Sequence, residues 1–174
     1  IEYYVSRLTA EEIGQICRRF EGNEWHPNCQ VLWSGLGQQQ VQQWANNHGM
    51  QTLKATLGPL SDQWYEKKGK RQLSTYMKGA SVIFAWYISR GNSVTVLSPP
   101  PPERFHPSAL TNYQMLEEPI VKGMIGGISV SRIEIVHPMV KGAGNFHYQI
   151  WPVDETYSWI EKFGSQAAPK PHWR

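Results

Sequence analysis

The chain has 174 residues, of which 40% are hydrophobic and 18% charged, and its net charge is +3. This composition is typical of one folded domain and excludes a disordered chain. The only tight cluster of basic residues is Lys67, Lys68, Lys70 and Arg71, which we interpret as a solvated loop, so the sequence does not favour a nucleic-acid partner. It does not favour a membrane either, because no apolar run is long enough to span a bilayer.

The first fifty residues predict two helices around a short strand. The run Thr9–Glu12 has the residue types of a capping box, so we place a helix over residues 9–20. An apolar run that ends at Trp33 predicts a strand, because Ser34-Gly35 breaks it. Apolar residues at helical spacing then predict a helix that ends before Gly49, and a further strand is expected from residue 50 to residue 53.

The middle of the chain carries the strongest helical periodicity. Apolar residues recur at steps of three and four from residue 72 to residue 90, which predicts a long helix. The β-branched run 93–97 predicts a strand. Four prolines at 99–102 must then leave the sheet, and we expect a long loop to about Gly127 with a short helix near 112–117.

The last part of the chain predicts strands at 128–136 and 147–151 and a helix at 156–163. We therefore expect a single α+β domain over residues 1–174, in which a helix-rich N-terminal half packs on a small central sheet formed mostly by the C-terminal half. Residues 165–174, with two prolines, predict a flexible tail. Two cysteines permit one disulfide between Cys17 and Cys29 but do not require it, so the compartment stays open.

Glu134 is the carboxylate of most interest. Strand alternation places it on the same face as Arg132, with apolar residues on both sides in sequence. A carboxylate among apolar residues must either find a partner or serve a function. Two interpretations stay open: an ion pair with Arg132 at a solvated edge, or a catalytic carboxylate at the mouth of a cleft.

Five short segments of the chain, taken in order, resemble a known family. They are Leu-Trp-Ser-Gly (32–35), Trp-Ala (44–45), Thr-Leu-Lys-Ala-Thr-Leu-Gly (52–58), Ala-Ser-Val-Ile-Phe-Ala (80–85) and Ser-Val-Ser-Arg-Ile-Glu-Ile-Val-His (129–137). Their order and spacing are similar to those of the ADP-ribosyl cyclase and NAD glycohydrolase family. The resemblance covers roughly residues 31–136.

The resemblance implies a glycosidase-type hydrolase (an NADase) that cleaves the nicotinamide–ribose bond of NAD and releases ADP-ribose or cyclic ADP-ribose. NAD would be its substrate, with no cofactor and no metal. Glu134 would be the catalytic carboxylate, and Trp33 would stack on the nicotinamide end. The implied substrate-binding residues also include Ser34, Ser129 and Arg132, with Tyr76 as a second aromatic wall and Trp86 as a less favoured candidate for that wall.

Two departures from the family pattern have consequences. The family has Glu where this chain has Lys54, and that position is linked to the balance between cyclising and hydrolysing. The many disulfides of the animal members cannot form with two cysteines, which favours the microbial, toxin-like branch. A toxin would be secreted or exported and would have a cognate inhibitor or immunity protein as its partner.

Two other functions remain as alternatives. A metal-free ribonuclease-type toxin would need an acid and a base around a phosphodiester, for which the sequence offers His137, His147 and Lys141. A non-catalytic binding module would use the aromatic residues and the Pro-rich loop as an interface.

Overall fold

The structure, a computed structural model, describes residues 1–67, 69–165 and 171–173, with the backbone alone for residues 64–67. The helices are α1 (Glu2–Ser6), α2 (Ala10–Glu21), α3 (Gln38–His48), α4 (Leu53–Leu57), α5 (Pro59–Lys67), α6 (Lys70–Ser89), α7 (Glu118–Val121) and α8 (Thr156–Phe163). The strands are β1 (Val31–Trp33), β2 (Ser93–Leu97), β3 (Arg132–Val136) and β4 (Tyr148–Trp151). A π-helical turn, Tyr113–Glu117, precedes α7.

The fold is α+β, with about 47% helix and one four-stranded mixed sheet. The strands lie in the order β1-β2-β3-β4, with β1, β2 and β3 parallel and β4 antiparallel to β3. The carboxyl ends of the three parallel strands therefore meet at one edge of the sheet, where open α/β sheets commonly bind ligands. The prediction of a helix-rich first half on a small sheet is confirmed.

The sheet separates two cores. The larger one lies between the sheet and helices α2 and α6, where Phe20, Phe84 and Ile133 are buried. The smaller one lies on the opposite face, where α3 packs Val41 and Trp44 over the sheet. Alternation along β3 follows this division, because the odd-numbered positions 133 and 135 face the larger core while 132, 134 and 136 face the α3 side.

Local signals placed most elements correctly. Thr9 caps α2 in a complete capping box with Glu12, and Gly49 ends α3 at a left-handed φ of 65°. The strand expected over 50–53 was wrong, because Gln51 makes an isolated bridge to Gln30 and Thr52 caps α4 instead. Strand β3 begins at residue 132 rather than 128, after a glycine-rich turn at 123–127.

The C-terminal segment departs from the expected flexible tail in the part that is described. Residues 166–170 and 174 lie outside the described residues. The backbone N–H of His172 donates to the carbonyl oxygen of Gly35 at 3.1 Å, and the ring of Trp173 packs beside Gly35 and His106. The segment 171–173 therefore lies against the end of β1.

None of the helices that the structure describes is long and apolar enough to cross a bilayer.

Candidate functional site

A cavity of about 490 Å³ opens beside β1, the edge strand of the sheet. It lies between the end of β1, one face of α6, the start of α4 and the π-helical turn. The described residues that line it are Val31, Leu32, Trp33, Ser34, Gly35, Gln38, Leu53, Lys54, Lys70, Leu73, Ser74, Met77, Lys78, Ser81, Phe84, Thr111, Asn112, Tyr113 and Glu117. Its size and its mixed apolar and polar lining are those of a small-molecule site.

The end of β1 forms one wall of the cavity. The Ser34 backbone N–H continues the sheet by donating to the Leu97 carbonyl oxygen at 3.0 Å, and its buried hydroxyl donates to Thr111 Oγ1 at 3.4 Å. Gly35 follows at a φ of 74°, and a β-carbon there would lie 2.7 Å from the Trp173 ring and 2.8 Å from Pro99. Only glycine fits this turn. The hydrogen bonds of Ser34 and the close packing around Gly35 together hold Trp33 and Ser34 at the cavity wall.

Helix α6 forms the opposite wall. The residues that it contributes are Lys70, Leu73, Ser74, Met77, Lys78, Ser81 and Phe84. Steps of three and four place them along one face of the helix. Exposure decreases along this face, because Lys70 is exposed, Lys78 is half-buried and Phe84 is fully buried. The face therefore runs from the solvent at the cavity mouth to the core at its floor.

The π-helical turn places a carboxylate in the cavity. Glu117 is the last residue of the turn and is only 8% exposed, and it is the one acidic residue among the described lining residues. Beside it in the lining, the fully buried Tyr113 stacks on Phe105 with 5.3 Å between ring centroids. π-Helical turns occur frequently at functional sites, because the wider turn redirects side chains that a regular helix would hold elsewhere.

The structure places Glu134 outside this cavity. It lies on β3, whose register pairs it with Thr95 of β2, which in turn pairs with Val31. Its backbone is thus two strands, about 10 Å, from β1. Its carboxylate lies 3.3 Å from Arg132 Nε and 3.6 Å from His147 Nδ1, on the α3 face of the sheet.

These contacts fit the ion-pair interpretation of Glu134. The neighbouring His147 ring, together with the charge of Arg132, holds the pKa of Glu134 below its ordinary value, against the opposing effect of burial. Its carboxyl side chain is 29% exposed and that of Arg132 56% exposed. A solvent-exposed ion pair of this kind contributes about 0 to 1 kcal/mol to the free energy of unfolding. The structure does not bring either residue to the cavity that holds Trp33.

Of the remaining sequence-predicted residues, Trp33 and Ser34 line the cavity and the others do not. Ser129 is exposed beyond the sheet, at an isolated bridge to Lys122. Tyr76 is buried on the face of α6 that packs on α1 and α2, where it lines a different depression with Leu8 and Thr9. Trp86, the less favoured candidate, packs against Gly126. Besides Trp33, the aromatic residues of the described lining are Phe84 of α6 and Tyr113 of the π-helical turn.

The residues of the ribonuclease alternative do not form a site either. His137 is completely buried, and burial lowers its pKa to about 4. Its Nδ1 lies 3.1 Å from the Ser98 carbonyl oxygen and its Nε2 lies 2.6 Å from the Tyr148 hydroxyl. Lys141 is exposed, and His147 contacts Glu134 instead. His137 is therefore a buried, hydrogen-bonded residue of the core.

Sequence reasoning missed Glu117 and Lys70. Glu117 stood at the end of a short predicted helix, and only its position after Tyr113 in a long loop could have drawn attention to it. Lys70 was assigned to a solvated loop, but it begins α6 and lines the cavity.

Among the described residues, no group of three His, Cys, Asp or Glu side chains lies close enough to hold a metal ion.

Comparisons of the chain with protein-family models, with curated proteins and with solved structures each gave no match.

Proposed function

We propose that this protein cleaves the nicotinamide–ribose bond of NAD in the cavity beside β1, with Glu117 as the catalytic carboxylate. The observation that carries the proposal is a nearly buried carboxylate in a cavity that also holds Trp33 and Ser34. Those two residues belong to the Leu-Trp-Ser-Gly segment, whose resemblance to the NAD-cleaving family implies that Trp33 stacks on the nicotinamide end and that Ser34 binds the substrate. The proposal therefore keeps the reaction and transfers the role of Glu134 to Glu117.

The chemistry suits one carboxylate among aromatic rings. Nicotinamide departs as a neutral molecule from a cationic starting state, which leaves positive charge on the ribose carbon, as in glycoside hydrolysis. A fixed carboxylate next to that carbon stabilises the charge as it develops, and it does so more strongly in a site with little water. Glu117 is the carboxylate that the described part of the cavity offers for this role.

Trp33 would position the substrate, because it lines the cavity, is only partly buried, and a flat aromatic ring stacks on a flat heterocycle such as nicotinamide. Tyr113, which is fully buried and stacks on Phe105, supports the cavity wall. Holding the substrate in a reactive geometry can supply several kcal/mol of the barrier reduction. Capture of the ribose cation by water gives ADP-ribose, and capture by the adenine base gives the cyclic product.

The test compares two carboxylate variants of one chain. Purified protein is incubated with NAD, and nicotinamide, ADP-ribose and cyclic ADP-ribose are separated by HPLC and identified by mass spectrometry. We expect Glu117→Gln to lower the rate of nicotinamide release at least about 100-fold, because it removes one charge at the reacting carbon and keeps the side-chain shape. Thermal unfolding of each variant reports whether the fold is retained.

Glu134→Gln is the matched control, since it removes one negative charge outside the cavity. We expect it to keep the rate of the parent chain within about twofold. Full activity in Glu117→Gln together with loss in Glu134→Gln would return the catalytic role to Glu134. If the parent chain itself leaves NAD intact, the reaction is wrong and a non-catalytic binding module on this fold becomes the leading interpretation.

A further inference from the structure

The cavity carries more positive than negative charge. Three lysines line it, Lys54 from α4 and Lys70 and Lys78 from α6, whereas Glu117 is the single carboxylate among the described lining residues. Ammonium groups that line a cavity favour anionic ligands, and the attraction is stronger where the walls exclude water. The charge of the cavity therefore favours a ligand with several phosphate charges.

The two lysines of α6 lie at different depths. Lys70, Ser74 and Lys78 recur at four-residue steps, so they form one polar stripe along the helix. Eight residues of helix separate the α-carbons of Lys70 and Lys78 by about 12 Å. Lys70 is exposed at the cavity mouth and Lys78 is half-buried further in. The stripe therefore offers two cationic positions along the cavity.

Neither ammonium group is neutralised by the protein side chains that the structure describes. Ion pairs are formed by Arg19, Arg104, Lys122, Arg132 and His147, and none of these pairs involves Lys70 or Lys78. Lys78 Nζ lies over the ring of Tyr4 of α1, 5.2 Å from its centroid, and this contact with a neutral ring leaves its charge in place. Both positions can therefore attract an anionic group of the ligand.

We infer that the cavity prefers NADP over NAD, with Lys78 binding the diphosphate and Lys70 binding the 2′-phosphate of the adenosine. This inference rests on the proposed function, which places the nicotinamide ribose at Glu117, the least exposed charged residue of the described lining. The diphosphate then lies nearer the mouth and the adenosine nearer still. Because the two phosphorus atoms of a diphosphate are adjacent, that group occupies one cationic position, and the separate 2′-phosphate of NADP fits the outer one.

The experiment measures kcat/KM for NADP and for NAD with the parent chain and with Lys70→Gln. We expect kcat/KM of the parent chain to be about tenfold or more higher for NADP than for NAD. Lys70→Gln should lower this NADP-to-NAD ratio of kcat/KM about tenfold, because it removes one charge-assisted hydrogen bond to the 2′-phosphate. Lys162→Gln is the control of equal charge change, because Lys162 lies on α8, which packs on β4 at the opposite edge of the sheet. It should leave the ratio unchanged.

A second measurement does not depend on turnover. Isothermal titration with adenosine 2′,5′-bisphosphate and with adenosine 5′-monophosphate reports the same discrimination through binding alone. Equal affinity for the two probes, or a ratio that responds equally to Lys70→Gln and Lys162→Gln, overturns the inference. If NAD and NADP both stay intact while the bisphosphate binds in a Lys70-dependent manner, the reaction is refuted and the outer phosphate position stands.

Discussion

His137 shows how the packing around a single residue fixes its chemistry. The imidazole is fully buried, its Nδ1 faces the Ser98 carbonyl oxygen, and its Nε2 faces the Tyr148 hydroxyl. The positive charge of Arg104, which hydrogen-bonds Tyr148, opposes a second charge there. These contacts suit a neutral ring that donates from Nδ1 and accepts at Nε2. Burial, reinforced by the charge of Arg104, lowers the pKa of His137 to about 4, against the opposing effect of the backbone acceptor at Ser98.

This shift predicts a loss of stability in mild acid. The unfolded chain protonates His137 near pH 6.5 but the folded protein only near pH 4, so the unfolded state binds more protons between these values. The free energy of unfolding should therefore fall as the pH drops from about 6.5 to 4, by about 3 kcal/mol in all. Urea unfolding between pH 4.5 and 7.5 measures it, and Asp154 and Glu134, whose pKa values are lowered in the folded protein, add to the loss only toward the acid end of this window.

The control is His137→Gln, which cannot titrate. Whatever its absolute stability, the slope of its unfolding free energy against pH should be much smaller than that of the parent chain over this window. An equal slope in both proteins would assign the pH dependence to another group.

At the scale of elements, α6 serves two purposes with two of its faces. One face lines the cavity through Met77 and its neighbours, and the next packs Tyr76 into the core against α1 and α2. Adjacent residues of a helix differ by about 100° in direction, so one position in sequence separates a ligand-facing residue from a core residue. The resemblance drew attention to Tyr76, but the aromatic residue that α6 contributes to the described cavity lining is Phe84.

This division predicts opposite outcomes for two neighbouring substitutions. Tyr76→Ala should lower the free energy of unfolding by about 3 kcal/mol or more, because it leaves a hole in the core. Met77→Ala, at a half-buried position, should cost about 1 kcal/mol and raise KM for the substrate by removing part of the cavity wall. Urea unfolding and steady-state kinetics on both variants check the pair. Unchanged KM in a folded Met77→Ala protein would contradict the assignment of this face to the ligand.

At the scale of the whole molecule, segments far apart in sequence complete the cavity. The end of β1 contacts Thr111 through Ser34, and Gly35 is bridged by the backbone of His172. The ring of Trp173 then closes over Gly35 from the side of Pro99. The segment 171–173, which the sequence predicts to be part of a flexible tail, thus supports the turn that holds Ser34 in the cavity wall.

We therefore expect Trp173→Ala to loosen that turn. It should lower kcat/KM several-fold and the unfolding free energy by about 1 to 2 kcal/mol, since a half-buried aromatic ring is lost. His172→Ala is the matched control, because the bridge to Gly35 uses its backbone N–H and not its side chain. Kinetics and thermal unfolding of the two variants decide the point; equal effects would show that Trp173 does not position the turn.

The sequence by itself determined the elements whose signals are local. The capping box at Thr9, the left-handed Gly49 and the periodicity of α6 depend on neighbours within a few residues, so they could be predicted and are confirmed. The face on which Glu134 lies followed from strand alternation. The short resembling segment that contains Trp33 and Ser34 also led to two residues that line the cavity.

Only the tertiary structure decided which side chains share the cavity. Strand order places β2 between β1, an edge strand, and β3, which carries Glu134, and nothing local in the sequence encodes that order. Glu117 reaches the cavity because a π-helical turn some twenty residues after β2 folds back beside α6 and β1. Convergence of residues 33, 78 and 117 depends on packing between distant segments, whose energies are collective and leave no short pattern in the chain.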